Sequence, residues 1–517
     1  MSMRFEQMRL ALNAGRRHFL SSYQVPRSLG RANRWYATQN PAKRGPPLAY
    51  TWLTEAAEET TPDDILSSLP SGPMSLTAAP ASVPILLVTP SFAPWLDPAS
   101  PFLSRFLNRL YGNSTGNESL CAVAAVVDAL PNTGPESSIS SESEGLAVLV
   151  VEESAVRAKG TPPRLIRSSA SEETNLLFSV QPQEIGQTSK GPSHEIGLRL
   201  ANTIFVNGRD TTLLGTRWLW NQTINGYELD ESHDLTSCMV TATSQAVDTA
   251  LELPLHPVTE RRRVMTSMGN ILRQLAKSTD ATSTETIPAS SELEKELPRY
   301  IAEHNIMDQR VSVWALVESP DSEVADPGSS THDRLLQSLQ QGGKLHRVMS
   351  GGGGWGKKQG LLSLDPEISF SGTANANELV AFTQVFDPDT AHVDTLPHID
   401  NGITVDDLSL LSQVAAAGDY IQFFVSVEPS VTETKVSGEL DSQEDAVSYH
   451  FGMVADSMSH VTHNSDEDGN SIVSLPRTFG ALSEKAIAYS QPMKRKMASN
   501  SCTKLDIPGC RVVLKTM

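Results

Sequence analysis

Apolar residues along this chain gather in short runs, separated by polar stretches rich in Ser, Thr, Glu and Pro. Residues 83–89 form a nearly continuous apolar run of strand length, which predicts a strand buried on both faces. Residues 102–111 follow with Phe102, Leu103, Phe106, Leu107 and Leu110 at helical spacing. Residues 120–127 and 146–151 read as further strands, with a Ser/Glu-rich loop at 132–144 between them. Strands are also predicted at 176–180, 235–243, 310–318, 420–427, 449–455 and 511–515. The stretch Thr203-Ile204-Phe205-Val206, then Asn207-Gly208, then 211–220, predicts a hairpin, because Asn-Gly accepts the positive φ that a tight turn demands.

Helical signals are fewer. Thr61-Pro62-Asp63-Asp64 opens a short helix, with Thr61 as cap and the acids at the positive end of the dipole. Residues 258–277 give the strongest helical periodicity, through Val264, Met265, Met268, Ile271, Leu272 and Leu275. Arg261, Arg262 and Arg263 fall in its first turns, either as a solvated face or as a surface for an anionic partner. Residues 291–294 read as the capping box of another helix, and 333–339 as a third. The pattern as a whole predicts an α/β or α+β fold, two-lobed, with mixed sheets, flanking helices and long polar loop inserts at 279–290, 319–331, 429–446 and 462–471. The expected divisions are 1–36, a linker at 37–80, an N-terminal lobe at 83–255, a helical connector at 256–303 and a C-terminal lobe at 310–517.

Composition changes the picture most at the amino end. No Asp or Glu occurs from Gln7 to Thr54, whereas Arg9, Arg16, Arg17, Arg27, Arg31, Arg34, Lys43 and Arg44 do. Phe5, Met8, Leu12 and Phe19 share one helical edge. This Arg-rich, acid-poor composition predicts a mitochondrial presequence over residues 1–36. The context Arg34-Trp35-Tyr36-Ala37 resembles a matrix-peptidase site with cleavage after Tyr36. A basic tail that binds nucleic acid is the alternative on composition alone. Loss of seven Arg and one Glu would take the formal charge from −19 to −25, which disfavours nucleic acid as a partner of the remaining chain. No apolar run approaches the ~18 residues of a membrane span.

Candidate chemistry is sparse. Gly351, Gly352, Gly353, Gly354, Trp355, Gly356, Lys357 and Lys358 match the outline of a phosphate loop, but Lys358 stands where such a loop needs Ser or Thr for magnesium. Consecutive glycines expose backbone N–H groups, so the segment reads as an anion cradle or as a tight turn packed by Trp355. His392 and Asp394, then His398 and Asp400, repeat an H-x-D spacing that suits a zinc or iron site in extended chain, or simply a solvated acidic loop. His460 and His463 are equally open readings, and Asp466, Asp468 and Gly469 lack the closing Glu of a calcium loop. Cys121, Cys238, Cys502 and Cys510 form no C-x-x-C pair, and the first two sit in apolar runs that predict burial.

The strand–helix–strand order of VPILLVTPSF, FLSRFLNRLYG and SLCAVAAVVDAL resembles the start of FIST domains, proposed small-ligand sensory modules. TIFVNGR (203–209) and YHFGMVADSM (449–458) are similar in kind, so the resemblance spans 83–500 loosely. Phe451-Gly452-Met453 stands where that family has a double-glycine turn, and no site residue carries over. The function expected from these features is a soluble, non-enzymatic ligand-binding or assembly role in the mitochondrial matrix, with a protein complex or a small anionic ligand as partner. The alternative is an enzyme acting on an anionic metabolite held by the 351–358 loop.

Overall fold

The computed structural model describes residues 48–516 apart from 70–80, 113–118, 134–141, 162–173, 183–192, 280–283, 307–310, 323–329, 352–359, 370–378, 388–412, 427–445, 456–471 and 494–499. The chain enters as β1 (Leu48–Thr54) and α1 (Pro62–Ser68). Thr61 caps α1 as its sequence predicts, with its N–H donating 2.8 Å to Asp64 Oδ2. Then come β2 (Ser82–Val88), α2 (Pro101–Tyr111) and β3 (Ser119–Val126), a crossover whose two strands pair in parallel. Next are β4 (Glu142–Glu152), β5 (Val156–Gly160), β6 (Asn175–Pro182) and β7 (His194–Arg199). After α3 (Ile204–Asn207) the chain makes β8 (Leu213–Asn221), β9 (Gly226–Ser244) and β10 (Val247–Glu252).

Alternation along β2, β3 and β4 explains their unbroken apolar composition. Ile85, Leu87, Val123, Ala125, Ala147 and Leu149 enter the main core on one face. Leu86, Val88, Ala124, Val126, Leu146 and Val148 pack on the other against Phe102, Phe106, Ile65 and Phe92 from the helical layer. Both faces are therefore covered, as expected of strands without polar alternation.

The segment from 258 to 277 is not a helix. Its apolar residues lie on β11 (Arg262–Met268) and β12 (Ile271–Ala276), an antiparallel hairpin turning at Gly269, whose φ is +60°. Val264, Leu272 and Leu275 are buried, while Met268 is exposed. A three-four spacing read through a turn residue also fits two strands, and ladder partners in the rest of the fold decide between them. The chain continues as α4 (Ser291–Glu303), β13 (Val313–Glu318), α5 (Thr331–Gln340), β14 (Lys344–Gly351), β15 (Leu362–Leu364) and β16 (Tyr420–Val425). β16, β11, β12, β15, β14 and β13 pair in that order, and β13 pairs back onto β16, so the six strands close a small barrel. Its interior is filled by Val264, Leu272, Ala315, Val317, Leu364, Ile421, Phe423 and Val425, with Leu293 and Leu297 of α4 packed against them. The N-cap position of α4 is Ser290, one residue earlier than predicted; its side chain caps no backbone N–H, and its hydroxyl donates 2.6 Å to the Glu294 carboxylate.

The last strands return to the first ones. β17 (Val447–Met453), β18 (Val473–Pro476), β19 (Thr478–Ser483), β20 (Ile487–Pro492), β21 (Asn500–Leu505) and β22 (Arg511–Thr516) complete the fold. The largest sheet runs β18-β1-β4-β2-β3-β8-β9-β6-β7-β20-β21, with both parallel and antiparallel neighbours. A second sheet runs β10-β22-β17-β19. The class is α+β with mixed sheets and a few helices. The barrel is spliced between β10 and β17, two strands that both pair with β22. No helix among the described residues is long and apolar enough to cross a membrane.

Candidate functional site

Most residues singled out by sequence lie outside the described residues: Gly352, Gly353, Gly354, Trp355, Gly356, Lys357 and Lys358; His392, Asp394, His398 and Asp400; His460, His463, Asp466, Asp468 and Gly469; and Arg34, Tyr36 and Ala37. Gly351 ends β14, and a Cβ there would stand 2.1 Å from the Leu362 side chain on the neighbouring strand. Among the described residues no group of three or more His, Cys, Asp or Glu could hold a metal ion. The arginine run is neither a solvated face nor an open anion surface. Arg261 pairs with Glu318 at 2.5 Å and stacks 3.7 Å from the Tyr420 ring centroid. Arg262 grips Glu292 of α4 through two nitrogens, one at 2.9 Å.

Two features stand out instead. The first is the turn at 203–209. The predicted Asn-Gly hairpin is a single helical turn, α3, ended by Gly208 in the left-handed region (φ +76°) with its N–H on Ile204 O. Asn-Gly serves a helix C-terminus as readily as a hairpin, since both need a positive φ. Ile204, Phe205 and Val206 thus face solvent, with Phe205 at 101% of full exposure. A polar base holds this apex. Buried Thr203 shares a 2.8 Å hydroxyl contact with Thr212 and donates 2.9 Å to Arg209 O. Asn207 donates 2.9 Å to Thr212, and Asn202 accepts from the Ile204 N–H at 3.0 Å. The sequence did hold a signal for this: Asn202 and Thr203 are capping residue types placed directly before the apolar triplet.

The second feature is a small cleft where α5 crosses the outside of the barrel. Arg261, Leu316, Glu318, Gln422 and Phe424 line it from the barrel side. Thr331, Arg334, Leu335 and Ser338 line it from α5, at the spacing of one helix face. The room inside is about 20 Å³, enough for one water or a group of similar size. Arg334 donates 2.9 Å to the Gln422 side-chain oxygen, while the Gln422 amide nitrogen donates 2.8 Å to Thr259 O. Ser338 is 4% exposed, and its hydroxyl has no hydrogen-bond partner.

Other reactive types are structural. Cys121, Cys238 and Cys510 are buried, as the apolar context of the first two predicts, and burial pushes each thiol up to about 12, far from a nucleophilic thiolate. Arg511 is 2% exposed, donates to Met453 O and Cys510 O, and leaves Nε and Nη2 unbonded. Gly452, from the FIST-like phrase, lies within β17 rather than in a turn, and a Cβ there would meet Cys510 O at 2.1 Å. Comparison with protein-family models, with curated proteins and with solved structures finds no match to this chain.

Proposed function

We propose that this protein acts in the mitochondrion as a non-enzymatic auxiliary or assembly protein, docking a partner protein through the apolar apex Ile204–Val206. The carrying observation is a fully exposed Phe205 on a turn whose polar base is hydrogen-bonded throughout. Aromatic side chains presented by pinned backbone lose little entropy on burial and serve as anchors of protein interfaces. The partner is a protein with an apolar socket rather than an anionic bilayer. The formal charge of −19 repels acidic lipid, and the neighbouring Arg209 is already paired with Asp234. The basic, acid-poor amino end supports the mitochondrial address.

The test is recovery of partners from isolated mitochondria with the full chain, comparing wild type, Phe205→Asp and Leu219→Asp. Leu219 is a second exposed apolar residue on a different element. Phe205→Asp is expected to weaken recovery of a partner by about tenfold to a hundredfold, converting the ~1.5–3 kcal/mol of a buried aromatic, with unchanged melting temperature. Leu219→Asp is expected to retain it. A photo-crosslinking residue at 205 then reports whether that partner touches the apex. Equal recovery with Phe205→Asp ends the docking proposal, and a chain that stays cytosolic in cells ends the mitochondrial one.

A further inference from the structure

Independently of the docking apex, we propose that the free edge of β10 pairs with β10 of a second copy of this chain, joining two sheets across a two-fold axis. β10 ends the sheet β10-β22-β17-β19, with β22 on one side and no ladder on the other among the described residues. Ala246, Asp248, Thr249 and Ala250 are exposed, so the bare side is open to solvent. Edges of this kind are templates for another strand, and proteins blunt them with proline, a bulge or a covering element. Other sheet ends are treated in that way. β19 is buried along its length, and its Leu482 bridges to Ala129. β18 finishes at Pro476, and Thr503 of β21 accepts the Leu345 N–H of the barrel. β10 has no proline, and its register with β22 is unbroken over all six residues, so no bulge turns it away.

The sequence of the strand selects the occupant and the register. A two-fold axis perpendicular to a sheet keeps every side chain on its own face, so one residue must face its own equivalent. An axis at Asp248 sets carboxylate against carboxylate. An axis at Ala250 sets Asp248 against Glu252. An axis at Thr249 sets Thr249 against Thr249, Asp248 against Ala250, Val247 against Leu251 and Glu252 against Ala246. Hydroxyl then meets hydroxyl, apolar meets apolar, and no like charges stand opposite. Val247 and Leu251 pack on the main core while Thr249 between them is exposed, so the second strand continues a face that already carries core on either side. Asp248 has Lys515 as its ladder partner on β22, which offsets the charge brought to the interface. A single strand pair buries less than the roughly 1,600 Å² of a standard interface, so the affinity expected is micromolar.

The test is sedimentation velocity of the full chain over about 1–100 µM in physiological salt, beside disulfide trapping. The wild type is expected to exchange between monomer and dimer within that range. Thr249→Lys sets two ammonium groups face to face and is expected to sediment as a monomer, with unchanged melting temperature because the side chain is exposed. Thr249→Cys is expected to form a covalent dimer under mild oxidation, since facing antiparallel residues hold their Cα atoms about 4.5–5.5 Å apart, within disulfide range. Asp248→Cys, which faces Ala250 in this register, is expected to crosslink about tenfold less. The wild type, whose Cys121, Cys238 and Cys510 are buried, gives the background. A chain that stays monomeric over the whole range overturns the proposal. So does a dimer that survives Thr249→Lys, or one in which Thr249→Cys crosslinks no better than Asp248→Cys.

Discussion

His346 shows how much one enclosed side chain decides. It sits on β14 at 2% exposure, with Nδ1 donating 2.8 Å to the carbonyl of Asp365. That acceptor fixes the proton on Nδ1, and Nε2 is buried without a partner, so the imidazole is neutral. Burial holds its pKa down to about 4, against 6.5 for the ordinary group; Lys344 adds to the depression and Asp365 opposes it. Between those two values the unfolded chain binds the proton and the native chain does not. Stability must therefore fall as pH drops from about 6.5 towards 4, by up to ~3 kcal/mol for this one group. His450 of β17 is depressed to about 4 as well and adds loss in the same direction. Urea denaturation at pH 7 and pH 4.5 checks the assignment. His346→Gln is expected to be less stable at pH 7 but to lose less on acidification than the wild type. Identical pH slopes for the two proteins would remove His346 as the cause.

At the scale of elements, the hairpin of β11 and β12 gives a prediction whose sign separates two structures. Gly269 adopts φ +60°, so a methyl group there is strained, and Gly269→Ala is expected to cost about 1 kcal/mol. In a continuous helix over 258–277 the same change would stabilise by a similar amount, since Ala exceeds Gly as a helix former. Urea midpoints at constant m-value give the answer directly. The contrast also shows where the sequence was readable. Residues 83–89, 102–111 and 120–127 were expected as strand, helix and strand, and appear as Ser82–Val88, Pro101–Tyr111 and Ser119–Val126. Their periodicities are unambiguous because each is bounded by Pro, Gly or polar residues, the two strands are buried over nearly all their length and the helix buries a single face. The hairpin was misread because its turn lies inside an apolar pattern, and barrel closure is a long-range fact. The apex at 203–209 was misread because Asn-Gly marks a positive φ without saying which element it ends. The cleft was hidden for a related reason: Thr331, Arg334 and Ser338 look like an ordinary polar helix face until barrel strands from distant sequence cover them.

For the whole molecule, the question is whether barrel and body unfold as one. The barrel presents Trp314, Leu316, Leu345 and Phe424 outward, and these join the main core with Ile487, Leu505 and Ile507 from the body. Polar ties reinforce the seam. Trp314 Nε1 donates 2.7 Å to Asp506, and the Leu345 N–H donates 3.0 Å to the Thr503 hydroxyl. Lys504 bridges Asp365 and Glu367 at 2.7 Å each, while Arg199 of β7 reaches Glu367 at 2.7 Å. Body strands that precede the barrel are also paired with strands that follow it, β1 with β18 and β10 with β22, so neither part of the body unfolds without breaking ladders of the other. These contacts predict a single unfolding transition by both fluorescence and far-UV circular dichroism. Trp314→Phe keeps most of the apolar contact but strips the donor from Asp506, which is only 9% exposed. The orphaned carboxylate is expected to cost about 1.5–3 kcal/mol. Because the seam is shared, that cost should move the one transition bodily, with the m-value unchanged. If Trp314→Phe instead splits unfolding into two steps, the barrel folds on its own account, and the interface with the body is a docking contact rather than a common core.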